Sequence, residues 1–316
     1  MERRRRVRRF SIRGLSLLAG ALLCLAACNE ANSGAGPAGP GGQSAGVGQG
    51  GTPRQGGISG QGGTPGQGGA GGTIAGPEAI RLPEIDAPFD YQIGGAYSPP
   101  AGVKVVSRDR HDKPAADLFN LCYVNGFQVQ PNEEAWWQKN HADLLLKNSK
   151  GNLIKDTQWN ELIFDTRTAS QRTMLSEVIG GWIRQCAADG FQAVEIDNLD
   201  SYSRSQNLLT QDNNVTLMAL LSAAAHQAGL ASGQKNSSEL LERRTAMNTD
   251  FAVVEECNRY DECDQFQKAY NGRIFIIEYR RQDFDKGCKA FSGLSIVLRD
   301  LSVKPAGSAG YVFDGC

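Results

Sequence analysis

The chain has 316 residues, with 33 Lys or Arg against 34 Asp or Glu, and 40% of its residues are hydrophobic. Seven arginines fall within the first 13 positions, and without residues 1–27 the balance becomes 26 basic against 33 acidic residues, a net charge of −7. A mildly acidic chain argues against nucleic acid and permits a cationic ligand.

In chain order, the arginines at 3–6, 8, 9 and 13 lead into an apolar run at 15–27. That run is too short to span a bilayer stably and fits a signal peptide. It ends in Leu25-Ala26-Ala27-Cys28, which resembles a bacterial lipobox. Cleavage before Cys28 and lipidation of its thiol are expected; the alternative is an ordinary secretory signal with an incidental cysteine. Asn29 follows, not an Asp that would signal inner-membrane retention, so the outer membrane or cell surface is the expected location. Residues 31–77 contain 20 glycines in 47 positions and cannot build a core. The reading is a signal peptide at 1–27, a lipidated cysteine with a Gly-rich tether at 28–78, and one folded domain at 79–316.

Within that domain, strand-like apolar runs fall at 91–93, 103–106, 120–124, 193–196, 230–233, 251–254, 274–277 and 296–298. Between them, apolar residues at helical spacing predict helices over 170–188 and 215–227, the second stopped by Gly229. Eight strands in repeated βα alternation predict a (β/α)8 TIM barrel. A doubly wound sheet is the alternative, but no G-x-G-x-x-G follows any strand. Polar and charged residues stand at nearly every strand's C-terminal end: Asp109, Asn125, Asp197-Asn198, Lys235-Asn236, Glu255-Glu256, Glu278-Tyr279 and Asp300. In a barrel those ends share one face, which carries the active site.

Two of these ends are unusually acidic. Val194-Glu195-Ile196-Asp197 continues to Asp200, and Phe251-Ala252-Val253-Val254 ends in Glu255-Glu256. Burying carboxylates at strand ends is costly unless they have partners or chemistry to perform. A cleft floored by paired carboxylates is the minimum equipment for cutting a glycosidic bond. Side-chain alternation places Glu195 with Asp197, where it would orient Asp197 or Lys235. Glu256 joins Glu255 in the cleft only if the strand has ended.

Six cysteines remain beyond Cys28: Cys122, Cys186, Cys257, Cys263, Cys288 and Cys316. An even number in an exported domain reads as disulfides. Cys257 and Cys263, six apart after a carboxylate-bearing strand, are expected to pair and brace it. Cys288–Cys316 would tie down the C-terminus, leaving Cys122–Cys186. No C-x-x-C occurs, and His111, His141 and His226 have no ligand spacing, so no metal or other cofactor is expected.

Asp90-Tyr91-Gln92, Cys122-Tyr123, Trp159-Asn160-Glu161, Val194–Asp200, Gln234-Lys235-Asn236, Asp250-Phe251-Ala252-Val253, Glu255-Glu256-Cys257, Glu262-Cys263 and Ile277-Glu278-Tyr279 together resemble the glycoside hydrolase 114 family, to which spherulin-4-like proteins belong. The resemblance covers residues 88–316. It implies a (β/α)8 barrel with endo-α-1,4-polygalactosaminidase activity and retention of configuration. It also implies Asp197 and Glu255 as the catalytic pair, with Lys235 and Asn236 matching a family Lys-Asn pair. We assign Asp197 as nucleophile and Glu255 as acid/base; exchanged roles are the alternative. Two adjacent acids cannot both ionise cheaply, so one holds a proton and serves as the acid.

The substrate-binding set is Asp109, Tyr123, Glu195, Asn198, Asp200, Lys235, Asn236, Glu256, Glu278 and Tyr279. Its acids suit a cationic galactosamine-containing polysaccharide, and Tyr97, Tyr123, Trp159, Tyr202 and Tyr279 could stack on sugar faces. The expected partners are this polymer and, through Cys28, a membrane; the domain is expected to be a monomer. Two other functions fit: a catalytically silent carbohydrate-binding lipoprotein, and a glycosidase for a different hexosamine or galactose polymer.

Overall fold

The computed structural model describes residues 79–316. The expected signal segment, Cys28 and the tether lie outside the described residues. The chain opens with β1 (Phe89–Gln92), β2 (Val105–Asp109) and β3 (Phe119–Asn125). A segment with β4 (Gln128–Val129), α1 (Glu134–Asn140), β5 (Lys155–Asp156) and β6 (Glu161–Ile163) follows. Next come α2 (Ala169–Asp189), β7 (Ala193–Asp197), α3 (Gln211–Gln227), β8 (Ala231–Lys235), α4 (Arg244–Met247) and β9 (Phe251–Glu255). The remainder is α5 (Cys257–Tyr260), α6 (Cys263–Tyr270), β10 (Ile274–Glu278), α7 (Arg281–Ala290), β11 (Ser295–Arg299) and β12 (Phe313–Gly315). No helix among the described residues is long and apolar enough to cross a membrane.

All eight predicted strands are present and run parallel in the order β1-β2-β3-β7-β8-β9-β10-β11. β12 adds an antiparallel edge to β11, while β4, β6 and β5 form a separate small sheet. The barrel nearly closes where β1 meets β11. Side chains replace the ladder there: Arg299 Nη1 lies 3.2 Å from Asp90 Oδ1, both fully buried. Arg299 also donates to the carbonyls of Val312 and Lys304. It is a (β/α)8 TIM barrel whose first two crossovers, β1 to β2 and β2 to β3, carry no helix among the described residues.

Strand alternation sorts the side chains into two layers. Tyr91, Leu121, Ala193, Ala231, Phe251, Val253, Phe275, Ile277 and Val297 pack in the barrel interior. Val194, Ile196, Val254 and Ile276 face outward against the helices. The inward position 233 on β8 is a glycine because a Cβ there would lie 2.4 Å from the Phe251 ring. The same alternation, continued one step, turns Asp197, Lys235 and Glu255 inward at the mouth.

Helix starts are set by caps. Thr168 and Gln171 form a capping box on α2, and Thr210 and Asn213 form one on α3. The apolar spacing predicts α3 from 215, but the helix begins at Gln211: its first turn is polar, so periodicity misses it and the cap sets it. Three disulfides form, Cys122–Cys186, Cys257–Cys263 and Cys288–Cys316, matching the expected pairing.

Candidate active site

β7, β8 and β9 are neighbours, so their inward C-terminal residues meet. Lys235 Nζ lies 3.5 Å from Asp197 Oδ2 and 3.3 Å from Glu255 Oε2. Those two oxygens are therefore at most 6.8 Å apart, the sum of their distances to the shared ammonium. Lys235 is almost wholly buried, whereas the side chains of Asp197 and Glu255 are 17% and 27% exposed, so the carboxylates reach the mouth and the ammonium does not.

Each carboxylate is held by further donors. Tyr123 donates to Asp197 Oδ2 at 2.8 Å, and the Asn198 N–H donates to Oδ1 at 2.7 Å. Tyr279 donates to Glu255 Oε1, and Asn236 Nδ2 donates to Oε2 at 3.0 Å. Asn236 Oδ1 accepts the Glu255 backbone N–H at 2.8 Å, so one side chain fixes both backbone and carboxylate. Burial pushes the Tyr123 and Tyr279 hydroxyls well above their ordinary range, and the adjacent carboxylates add to it, so both stay protonated as donors. Burial opposes the Lys235 charge, but Asp197, Glu255 and Glu195 outweigh it and raise its pKa.

One layer deeper, Glu195 is fully buried beneath this pair. Its Oε1 lies 3.0 Å from Lys235 Nζ and accepts from the Tyr91 hydroxyl at 2.9 Å; its Oε2 accepts from Ser107 at 2.6 Å. Beside Asp197, Glu161 Oε2 accepts from Gln128 Nε2 at 2.9 Å, Asn125 Nδ2 at 3.0 Å and Asn198 Nδ2 at 3.4 Å. Burial raises the Glu161 pKa while the Gln128 and Asn125 amides lower it. Asn198 adopts φ +64, a left-handed conformation that asparagine tolerates and that aims its amide back at the site.

Several expected binding residues stand elsewhere. Glu278 points outward from β10, is fully buried, and its Oε1 accepts from the Asn258 N–H at 2.8 Å; it does not face the cleft. Alternation is the reason, because Ile277 takes the inward position. Glu195 lies under the cleft, without access to a ligand. Asp200 is chelated by Arg204 at 2.7 and 2.9 Å, and Glu256 pairs with Arg259 at 2.5 Å. Glu256 does have φ +56, so β9 has ended there as the cleft reading required. Asp109 accepts from His111 N–H at 2.9 Å and Gln130 Nε2 at 2.8 Å, tying rim loops together. Tyr97 packs edge-on against Tyr311 and donates to Asp90 in the β1–β11 seam, not over a sugar site. Trp159 is 53% exposed beside β6 and remains available for stacking.

Sequence reasoning assigned no role to Tyr91, Ser107 or Glu161. Tyr91 and Glu161 fall inside the motifs quoted above, and Ser107 is a lone polar residue between apolar strand positions. The sulfurs of Cys257 and Cys263 converge with Glu278, but they are joined to each other, which removes the thiolates a metal would need.

A glycoside-hydrolase family GH114 model matches residues 72–316. The Aspergillus fumigatus protein Ega3, solved in complex with galactosamine, superposes with TM-score 0.60 at 18% identity, covering 76% of this chain and 98% of its own. The glycoside hydrolase domain of Pseudomonas aeruginosa PelA gives TM-score 0.48 at 15% identity, over 71% of this chain and 97% of its own. Comparison with curated proteins yields no match. Ega3 supports the barrel fold; the family match spans the whole described domain and supplies the chemistry that a mouth of paired carboxylates can perform. The chain belongs to glycoside-hydrolase family GH114 and is a glycoside hydrolase.

Proposed function

We propose that the domain is an endo-acting hydrolase of α-1,4-linked, galactosamine-rich polysaccharide, working with retention through Asp197 and Glu255. The observation that carries this is the pair of carboxylate oxygens on one ammonium, at most 6.8 Å apart. That bound admits the spacing of about 5–5.5 Å that retaining enzymes need, and only the lower edge of the about 6.5–9.5 Å with which inverting enzymes admit a water. Asp197 takes the part of nucleophile, oriented for attack by Tyr123, Lys235 and the Asn198 N–H; both carboxyls are held by donors, and exposure separates them. It displaces the leaving oxygen from the anomeric carbon while Glu255 gives that oxygen a proton. Glu255, the more exposed of the two, then takes a proton from water as the water attacks the glycosyl-enzyme.

Galactosamine without its acetyl group carries a cation. Glu161, with no arginine or lysine within ion-pair distance among the described residues, supplies a carboxylate for it near Asp197. The galactosamine in the Ega3 complex makes this sugar the reasonable first choice. Export as a Cys28-anchored lipoprotein, with the tether holding the domain off its membrane, completes the reading. The silent-protein alternative is disfavoured because both carboxylates and their supports are in place.

The test is incubation with deacetylated and N-acetylated galactosamine polymers. Expected results are shortened chains from the deacetylated polymer, α-configured new ends by NMR, and at least about 1,000-fold loss in Asp197→Asn and Glu255→Gln. No cleavage of either polymer, or β-configured ends, would overturn the proposal.

A further inference from the structure

The barrel interior beneath the catalytic pair holds a buried circuit that hydrolysis does not consume. Lys235 Nζ donates to the Tyr91 hydroxyl at 2.8 Å, Tyr91 donates to Glu195 Oε1 at 2.9 Å, and Lys235 contacts the same Oε1 at 3.0 Å. Ser107 closes the far side by donating to Oε2 at 2.6 Å. The circuit draws on β1, β2, β7 and β8, and all four side chains are at most 2% exposed. Burial raises the Glu195 pKa, and the Lys235 ammonium and the Ser107 hydroxyl act against that by favouring its carboxylate form.

The charge count follows. Around the Lys235 ammonium stand Glu195 and Asp197 from β7, Glu255 from β9, Tyr91 from β1, Tyr123 from β3 and Tyr279 after β10. The tyrosines are neutral, so one cation faces three carboxyls. A lone buried ammonium between Asp197 and Glu255 would hold both ionised and deprive a retaining glycosidase of its acid. Glu195 is the shortest ion-pair contact of Lys235 and the most deeply buried of the three carboxyls.

We propose that Glu195, held ionised by Tyr91 and Ser107, is a positioning residue that neutralises Lys235, so that the Asp197–Glu255 pair keeps the single proton its chemistry requires. This rests on Asp197 and Glu255 being the reacting pair. Lys235 thus fixes where the two carboxylates sit, and Glu195 cancels its charge.

The consequence is a pair of opposite shifts. Glu195→Gln leaves the ammonium uncompensated, so the pair's last proton leaves at lower pH and the alkaline limb of the rate profile moves down by roughly one unit or more. Lys235→Met leaves Glu195 uncompensated, so the pair binds protons more tightly and both limbs move up. Combining the two substitutions restores neutrality and returns the limbs towards the wild-type position, even if overall activity is low. Tyr91→Phe moves the limbs in the direction of Glu195→Gln, by less.

Carboxyl carbon NMR titration of the substrate-free domain, with Asp197→Asn and Glu255→Gln for assignment, reads the same shifts without any polymer. A wild-type domain that cleaves no galactosamine polymer would sink the substrate reading and leave this titration intact. Unshifted carboxyl titration in Glu195→Gln would mean that Glu195 is already protonated and would overturn the inference. So would parallel shifts in the two single variants. If Lys235→Met does not fold, Glu195→Gln and the double variant decide the matter.

Discussion

Ile277 and Glu278 differ by one step along β10, and that step sends one into the barrel and the other behind it. Both stand next to a recognisable motif, so the sequence makes Glu278 look like cleft lining; only the register assigns its face. Burial raises the Glu278 carboxyl to about 7, against hydrogen bonds from Asn258. Its folded pKa therefore exceeds the ordinary 4.5, and the folded state holds the proton more tightly. This contribution is fully present below about pH 4.5 and is lost as pH rises towards 7, about 3 kcal/mol in all. Glu278→Gln should abolish that slope: denaturant titrations should find it more stable than wild type at pH 8, with no gain at pH 4. Equal effects at both pH values would refute the assignment. Tyr279→Phe belongs to the same scale. It removes the donor to Glu255 Oε1, and kcat should fall roughly 10- to 100-fold with KM little changed. Asp197 and Glu255 were legible because each is an acid ending an apolar strand. Tyr91 and Ser107 were not, because a tyrosine or serine in a strand carries no sign of which buried partner it meets.

At the scale of elements, β8 and β9 form one fitted unit. Gly233 leaves room for the Phe251 ring, and two residues beyond Gly233 Lys235 holds its contact with Glu255, four beyond Phe251. Gly233→Ala should overpack the interior and destabilise the domain by about 1–3 kcal/mol, measured by urea unfolding, with Lys235 displaced and activity lost before stability. The disulfides divide similarly. Cys122–Cys186 spans 64 residues and Cys257–Cys263 spans six. Loop-closure entropy makes the first worth about 4 kcal/mol and the second about 2. Replacing the first pair with serine should therefore give the larger fall in Tm. Replacing the second should give the larger fall in kcat, because it braces the turn directly after Glu255. Strands and long helices could be read from periodicity, and the Cys257–Cys263 pairing from spacing. The helix-free first crossovers could not, because a short polar connection looks alike whether it turns back or carries a helix elsewhere.

Over the whole molecule, the barrel brings to one mouth side chains separated by more than 100 positions, and charge becomes a property of that mouth. Residues 79–316 carry 25 basic and 31 acidic groups, a net of −6. Surface acids paired with arginine or lysine, as Asp200 and Glu256 are, add little field. The acids at the mouth share one lysine, and that lysine is matched by Glu195. A residual negative potential is thus focused where low-dielectric walls surround it, which should draw a polycation in and leave a neutral chain unaffected. Raising salt from about 0.01 M to about 1 M shortens the screening length from roughly 30 Å to roughly 3 Å. Over that range kcat/KM for deacetylated galactosamine polymer should fall at least about tenfold, through KM, while any turnover of N-acetylated polymer stays level. Glu161→Gln should flatten the slope for the deacetylated polymer, because it removes a carboxylate beside Asp197 that no arginine or lysine pairs among the described residues. A salt response shared equally by both polymers would instead assign the effect to chain conformation in the substrate. A flat response to both would mean that the acids serve the reaction alone and play no part in capturing the polymer.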